Sequence, residues 1–447
     1  MKRGPEANQV RLDHGCPTRG ILRSIMKEAG DPIPQSPPHA RMETVLTRTG
    51  PLAGYRILDL TAVVLGPLAT QVLGDYGADI IKVEPTTGDQ MRANGVSKTL
   101  GMSSIFLAIN RNKRSLAVDL KTPEGLDAIM RLLPTIDAVV HNMRVPAIER
   151  LGLGYEAVRR IKPDIVYCVA TGFGESGAHA GRPAFDDVIQ ASSGLADLLG
   201  HESGVPDYAP TLLADKTCGM ALCNAVLAAL LHRERTGQGQ SVEVPMLETM
   251  VAFNMAEHLG GLTFAGQDAP DAPAGYARLL AGGRKPAPTK DGYLALLPYS
   301  SEHWVDFFQA AGREDLASQF DLQDRHARNA HVKELYAAMH QVTRTLTTDE
   351  ALAMCERLDI PATRLWSLQE LPDHPHLQSV DLFQLVDHPS EGLIRSVRPP
   401  TLFSASPADV VRQAPRVGEH TREVLREAGL TDQAISALQE QGRVHCA

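Results

Sequence analysis

Long apolar runs are missing from this 447-residue chain. The longest strongly apolar stretch, Met220 to Leu231, is about a dozen residues and is interrupted by Asn224, short of the roughly 20 that a helical membrane span needs. No apolar core follows the opening Met-Lys-Arg-Gly-Pro-Glu, so the start does not read as a secretory signal. A basic excess is missing too: 44 Lys and Arg stand against 53 Asp and Glu, a net charge of −9, which leaves no electrostatic footprint for nucleic acid. Cysteine is sparse, six residues at 16, 168, 218, 223, 355 and 446 with no C-x-x-C pair. That usage gives no metal-ligand spacing and fits a reducing cytoplasm. Cys218 and Cys223 fall in the apolar stretch and are expected to be buried small hydrophobes.

What is present is ordinary globular composition, 43% hydrophobic and 22% charged, in a chain longer than one domain usually runs. Residues 1–41 are rich in proline and polar residues without a sustained period, and read as a mobile or surface-draped arm. Met42 is an alternative start. From Pro51 the text alternates strand and helix: a buried strand in Tyr-Arg-Ile-Leu-Asp-Leu, a Gly66-Pro67 turn, a helix to Tyr76, and a second strand ending at Glu84. Strand, helix, strand at this spacing predicts a parallel sheet. Further strands are expected between Arg114 and Lys121, and over residues 136–142 and 165–171, with Thr122 capping a helix that has Pro123 in its first turn. Arg111, Lys113, Arg114 and Lys121 surround the first of these strands. Such a run is either a solvated face or a basic rim suited to phosphates.

Gly172-Phe-Gly-Glu-Ser-Gly177 satisfies G-x-G-x-x-G. The dinucleotide fingerprint needs a helix to start inside the motif, and Gly181 and Pro183 interrupt one immediately downstream, so a turn is expected instead. In Ala-Pro-Thr-Leu-Leu-Ala-Asp215-Lys-Thr-Cys-Gly-Met an acid opens a long apolar helix that Gly237 closes. Position alone makes Asp215 a helix cap. A carboxylate there also feels the positive end of the helix dipole and stays ionised when partly buried, as an acyl-transfer nucleophile must. Residues 260–284 are rich in glycine, alanine and proline and read as a linker or an active-site loop, and Asp291-Gly292 as a hairpin turn opening a second unit.

The Asp215 segment, the following Leu-His-Arg-Glu-Arg-Thr-Gly-Gln-Gly-Gln-Ser-Val-Glu-Val, Asn-Arg-Asn-Lys-Arg-Ser with Asp-Leu-Lys-Thr-Pro-Glu-Gly125, and Arg-Pro-Ala-Phe-Asp-Asp-Val-Ile-Gln-Ala-Ser-Ser-Gly-Leu195 resemble the family III coenzyme A transferases. The likeness spans about residues 50 to 432. It implies an α/β fold with a large Rossmann-like parallel-sheet domain formed by both ends of the chain, a smaller α+β domain, and an interlocked homodimer. The implied division is 42–260 for the first part of the large coenzyme A-binding domain, 261–284 for a linker with a glycine loop, 285–370 for the small domain and 371–447 for a return segment. The resemblance makes Asp215 the nucleophile and assigns coenzyme A contacts to Val64, Leu65, Val118, Asp119, Leu120, Lys121, Asn142, Met143, Arg150 and Phe185. Asp186, Gly282 and Gly283 fall near the substrate or on a shielding loop, and the loops at Val64 and at Gly172 to Gly174 are candidate oxyanion donors. The implied partners are an acyl-CoA and a small carboxylic acid, with no tightly bound cofactor and no metal.

Related racemases of 2-methylacyl-CoA carry a histidine where this chain has Phe185. Phenylalanine moves no proton, so one base of that chemistry is missing, and an isomerase stands as the second reading. Pro146 departs from the family wording. Arg92 and Arg182 incline the reading toward dicarboxylates, or hold phosphate instead.

Overall fold

The structure, a computed structural model, describes residues 49–447; the expected arm at 1–41 lies outside them. Six parallel strands form the main sheet: β1 (Arg56–Leu60), β2 (Asp79–Glu84), β3 (Lys113–Val118), β4 (Ala138–His141), β5 (Val166–Thr171) and β6 (Gln240–Pro245). They run in the order β3-β2-β1-β4-β5-β6. The order reverses between β1 and β4, and in doubly wound sheets the crevice at such a point, beyond the strands' carboxyl ends, is where ligands bind. Helices cover both faces, so β1 to β5 are buried almost throughout, as parallel strands are, while the edge strand β6 is mostly not.

The helix Leu213–Thr236 lies over one face with Ala214, Cys218, Leu222, Cys223, Val226, Ala229 and Leu230 in the core. Both cysteines are buried there, as expected. By length and composition this helix suffices to cross a membrane, yet half of its apolar stretch is buried inside the fold, the position of a core helix. Gly237 ends it in the left-handed conformation, φ 72°. Its neighbour is the helix Leu65–Asp75, and Gly219 sets how near they come: a Cβ on Gly219 would stand 2.7 Å from the Leu65 carbonyl oxygen.

A separate core, with Trp304, Phe307, Phe308, Leu335 and Met339, is drawn wholly from residues 287–360. Its sheet is antiparallel: β7 (Ala287–Pro288), β8 (Tyr293–Leu296) and β9 (Ala362–Arg364). Asp291 sits in the β7–β8 turn and accepts the Thr348 N–H at 2.8 Å and hydroxyl at 2.9 Å. Next come the hairpin β10 (Phe383–His388) and β11 (Gly392–Val397), and then β12 (Val444–His445), which pairs antiparallel with the outer edge of β3. The main sheet is therefore built from both ends of the described chain.

The basic residues around β3 do not form a rim. Arg111 is spent on Asp75 (2.6 Å), Lys113 on Asp59 (3.0 Å), and Arg114 on Asp79 and Glu427 (2.6 Å each); only Lys121 is exposed. Strands buried on both sides leave a side chain no solvent to reach, so each cation is met inside.

Two buried histidines make the fold acid-sensitive. Burial pushes His141 down to about 4, edge-on to Tyr167. Burial and then the Arg412 charge push His420 down to about 4. The unfolded chain binds these protons near pH 6.5 and the folded chain does not, so stability is complete above 6.5 and falls as pH drops toward 4. The loss is up to about 3 kcal/mol for each ring. Urea midpoints between pH 7 and 4.5 should fall, and less so in His141→Phe; a flat profile would refute this.

Candidate active site

The switch point of the sheet lies where β1 ends. Val63, two residues past the last strand residue's neighbour Thr61, has φ 69°, and a β-branched residue there is strained by roughly 1–3 kcal/mol. Such strain persists only when the surroundings over-determine it, and they do. The Asn142 side chain, just past β4, accepts the Ala62 N–H at 2.9 Å and donates to the Ala62 carbonyl at 2.8 Å. Asp59 accepts the Thr61 N–H (2.9 Å) and hydroxyl (2.5 Å), and Lys82 donates to the Thr61 carbonyl at 3.0 Å. Beyond the loop, Lys113 donates to the Pro67 carbonyl and to Thr70, both at 2.8 Å. Gly66 has no room for a side chain, since a Cβ would lie 2.2 Å from that of Thr61.

This bracket is ionic and dry. Asp59, Lys82 and Lys113 are all fully buried. Lys82 faces Asp59 across the β1–β2 register and pairs with Asp89 at 2.8 Å. Burial disfavours the Asp59 charge, but Lys113 and Lys82 outweigh it and hold the carboxyl below its usual range. The segment so held carries the N–H groups of Val63, Val64, Leu65 and Gly66, none hydrogen-bonded among the described residues. At the start of a helix, such amides point outward and favour a negative charge.

Asp215 is not a cap. The helix begins at Leu213, with Leu212 before it and no side-chain cap, so Asp215 is the third helical residue. The capping acceptor comes from elsewhere: Asp186, first residue of the helix Asp186–Ser192, accepts the Asp215 N–H at 2.8 Å. Gln190 donates to Asp186 at 2.5 Å and accepts the Ala209 N–H at 2.9 Å, fixing that carboxylate in turn. Asp215 is 8% exposed, and its own carboxylate takes no hydrogen bond among the described residues. Burial first, and the Asp186 charge second, push it up to about 6. The helix dipole was expected to dominate; desolvation and a like charge prevail. Near neutral pH the group is still mostly ionised, weakly solvated and without a partner, the condition of a nucleophile or a base. Gly219 lies one turn on, on the same helix face, and its contact with the Leu65 carbonyl brings that face to the bracketed loop.

The other expected contacts are distributed unevenly. Val118 is buried in the core beneath the sheet, and Leu120 and Met143 pack partly against the same cluster. Asp119 accepts the Lys121 N–H at 3.0 Å. Lys121 and Arg150 are exposed; Asn142 has its amide committed to Ala62. Pro146 falls in the first turn of the helix Val145–Arg150, where proline fits. Phe185, immediately before Asp186, is 64% exposed. Gly282 and Gly283 both have positive φ, 78° and 77°, and Glu202 accepts the Gly283 N–H at 3.2 Å and pairs with Lys285.

Two expectations fail on occupancy. The Gly174 N–H already donates to Glu248 at 3.0 Å, which removes it from the donors expected at Gly172 to Gly174; the next N–H, of Glu175, goes to Glu243 at 2.8 Å, and no helix starts in the turn, as expected. Arg92 is buried, paired with Glu84 at 2.7 Å and stacked 3.7 Å from the centre of the Phe106 ring, leaving Arg182 as the exposed arginine of the two. Sequence reasoning missed the bracket, although a signal existed: Asp59 and Lys82 each interrupt an otherwise apolar buried strand.

The sequence model of CoA-transferase family III matches residues 52–421. The succinate–glutarate CoA-transferase of Agrobacterium fabrum is 32% identical, covering 86% of this chain and 98% of the relative. The formyl-CoA:oxalate CoA-transferase of Escherichia coli O157:H7 is 31% identical, covering 87% and 98%. Among solved structures, a hypothetical protein from Mycobacterium tuberculosis aligns with a TM-score of 0.73 at 31% identity, covering 84% of this chain and 99% of that one. A CAIB/BAIF family protein from Brucella suis aligns at 0.71 and 27%, covering 85% and 100%.

Proposed function

This chain belongs to CoA-transferase family III, and from that premise we propose that it moves coenzyme A from an acyl-CoA donor to a carboxylic acid through covalent intermediates on Asp215. A carboxylate oxygen of Asp215 attacks the thioester carbonyl; the C–S bond breaks, giving an acyl-aspartyl anhydride and coenzyme A thiolate. The thiolate attacks the aspartyl carbonyl, releasing the donor acid and leaving an aspartyl thioester. The acceptor carboxylate then attacks that carbonyl and expels the thiolate, which takes the acceptor's acyl group from the second anhydride and frees Asp215. Each step exchanges one activated acyl bond for another, so the energy of the thioester survives while water stays out. The free amides of Val63 to Gly66 are the donors for the oxyanions.

The observation that carries this reading is the buried, unpartnered Asp215 with its pKa raised to about 6, on a helix whose Gly219, one turn on, meets the Leu65 carbonyl. For the acceptor we favour a dicarboxylic acid, since the named relatives are transferases of succinate, glutarate and oxalate. Incubation with a panel of acyl-CoAs, hydroxylamine trapping and intact-mass peptide mapping should put the adduct on Asp215. No adduct with any donor, together with solvent deuterium entering a 2-methylacyl-CoA, would favour an isomerase instead.

The pH dependence follows from the same carboxylate. Below about pH 6 the nucleophile protonates, and the transfer rate should fall close to tenfold per unit. Asp186→Asn removes the neighbouring charge and should move the break in the profile to lower pH; an unmoved break would count against the pair.

The division into domains at 260 and 371, and the interlocked homodimer, are part of the same proposal. Met220 and Leu231 on the long helix, with Phe253, Leu262 and Phe264 following, are exposed apolar side chains available to such a dimer. Sedimentation at micromolar concentration should give twice the chain mass of 48.3 kDa.

A further inference from the structure

The core of residues 287–360 holds a second concave site, built from groups that the transfer chemistry does not use. Its volume is about 370 Å³, within the range of small-molecule pockets. Three arginines line it, Arg278, Arg325 and Arg328, against a single acid, Glu302. None of the three makes an ion pair among the described residues. This contrasts with the arginines beside the main sheet, which are matched by carboxylates.

Each arginine is held in a way that leaves donors over. Arg328 spends one nitrogen on the Ser301 hydroxyl and the Leu322 carbonyl, both at 2.6 Å. Arg278 lies 5.6 Å from the centre of the Tyr299 ring, and Arg325 opens the helix Arg325–Ala330 without a partner. The second observation is independent of charge. Tyr336, 3% exposed, also lines the cavity, and its buried hydroxyl has no hydrogen-bond partner. Orphaned buried hydroxyls are rare because each forfeits its water without replacement. Trp304 stands edge-on to Tyr336 at 5.7 Å and supplies an apolar wall.

Unpaired guanidinium groups beside an aromatic wall define one ligand chemistry. We propose that this cavity binds a small organic anion, a carboxylate carried on an apolar or aromatic body. Guanidinium forks match a planar carboxylate, and Trp304 covers the body. The proposal is independent of the role of Asp215. It does reach toward the glycine connection: Arg278 belongs to the short helix Ala277–Leu280, directly before Gly282 and Gly283. An occupant therefore fastens that connection to the core.

The test is calorimetric titration of the full chain with benzoate, with inorganic phosphate and acetate in parallel. Benzoate should bind one-to-one and more tightly than either. Arg278→Gln with Arg325→Gln should weaken it by about tenfold or more. Tyr336→Phe should raise the melting temperature of the unliganded chain, and Asp215→Asn should leave benzoate binding unchanged. Absence of saturable benzoate heat would overturn the proposal. So would benzoate binding that persists undiminished in the double arginine variant, or phosphate binding as tightly as benzoate.

Discussion

Asp215→Asn should leave a folded chain whose transfer activity has fallen by at least about a thousandfold. Asparagine keeps the shape and the backbone N–H that Asp186 accepts, but its amide neither forms an anhydride nor carries coenzyme A. The variant should also be more stable. In the fold Asp215 titrates near 6, above the ordinary carboxylate value of 3.8, so the native state binds the proton more tightly than the unfolded one. Stability is then highest below about 4 as far as this group goes, and is lost as pH rises through 6. Near pH 7 the ionised acid lowers stability by about 3 kcal/mol, which asparagine restores in part. An inactive protein with a higher melting temperature is the expected pair of results. Turnover within tenfold of the parent, measured with the donor that labels best, would remove Asp215 from the mechanism.

The second large effect lies below the crevice. Lys113→Met leaves Asp59 fully buried with its nearest cation gone, and breaking a buried pair from one side typically destabilises by 3–5 kcal/mol. It also releases the Pro67 carbonyl and Thr70, so the grip on the far side of Val63 is lost. Pairing it with Asp59→Leu removes the stranded charge, and apolar replacement of a whole buried pair is often neutral. The double variant should recover at least half of the lost stability, as read from urea midpoints. It should not recover turnover, because Thr61 then lacks its acceptor and the amides of Val63 to Gly66 are no longer held. Stability and activity returning together would show that the bracket is structural alone.

The alternation of strand and helix was legible because parallel strands buried on both faces read as short apolar runs between turn residues, and β1, β2 and β5 fall where the runs do. The position of Asp215 at the opening of a helix was legible as well. Its surroundings were not: the helix starts earlier, at Leu213, and Asp186, far off in sequence, supplies the cap. A string of residues shows which side chains are charged but not which are matched. Arg111 and Arg114 look like a phosphate rim until Asp75, Asp79 and Glu427 are seen beside them. Val63 gave no sign, since its left-handed backbone is imposed by Asn142, Asp59, Lys82 and Lys113 from three other segments.

β12 closes the outer edge of β3 with only Val444 and His445. On the ribosome, β3 emerges more than three hundred residues before them, and at about 5–20 residues per second it waits for something near 15–65 s. Throughout that interval its unpaired N–H and carbonyl groups form an open template for any passing strand. Ser115, which holds the Gly418 N–H, and Arg114, which is matched by Glu423 and Glu427, wait equally long. The nascent chain thus carries an open sheet edge until its last residues arrive to close it.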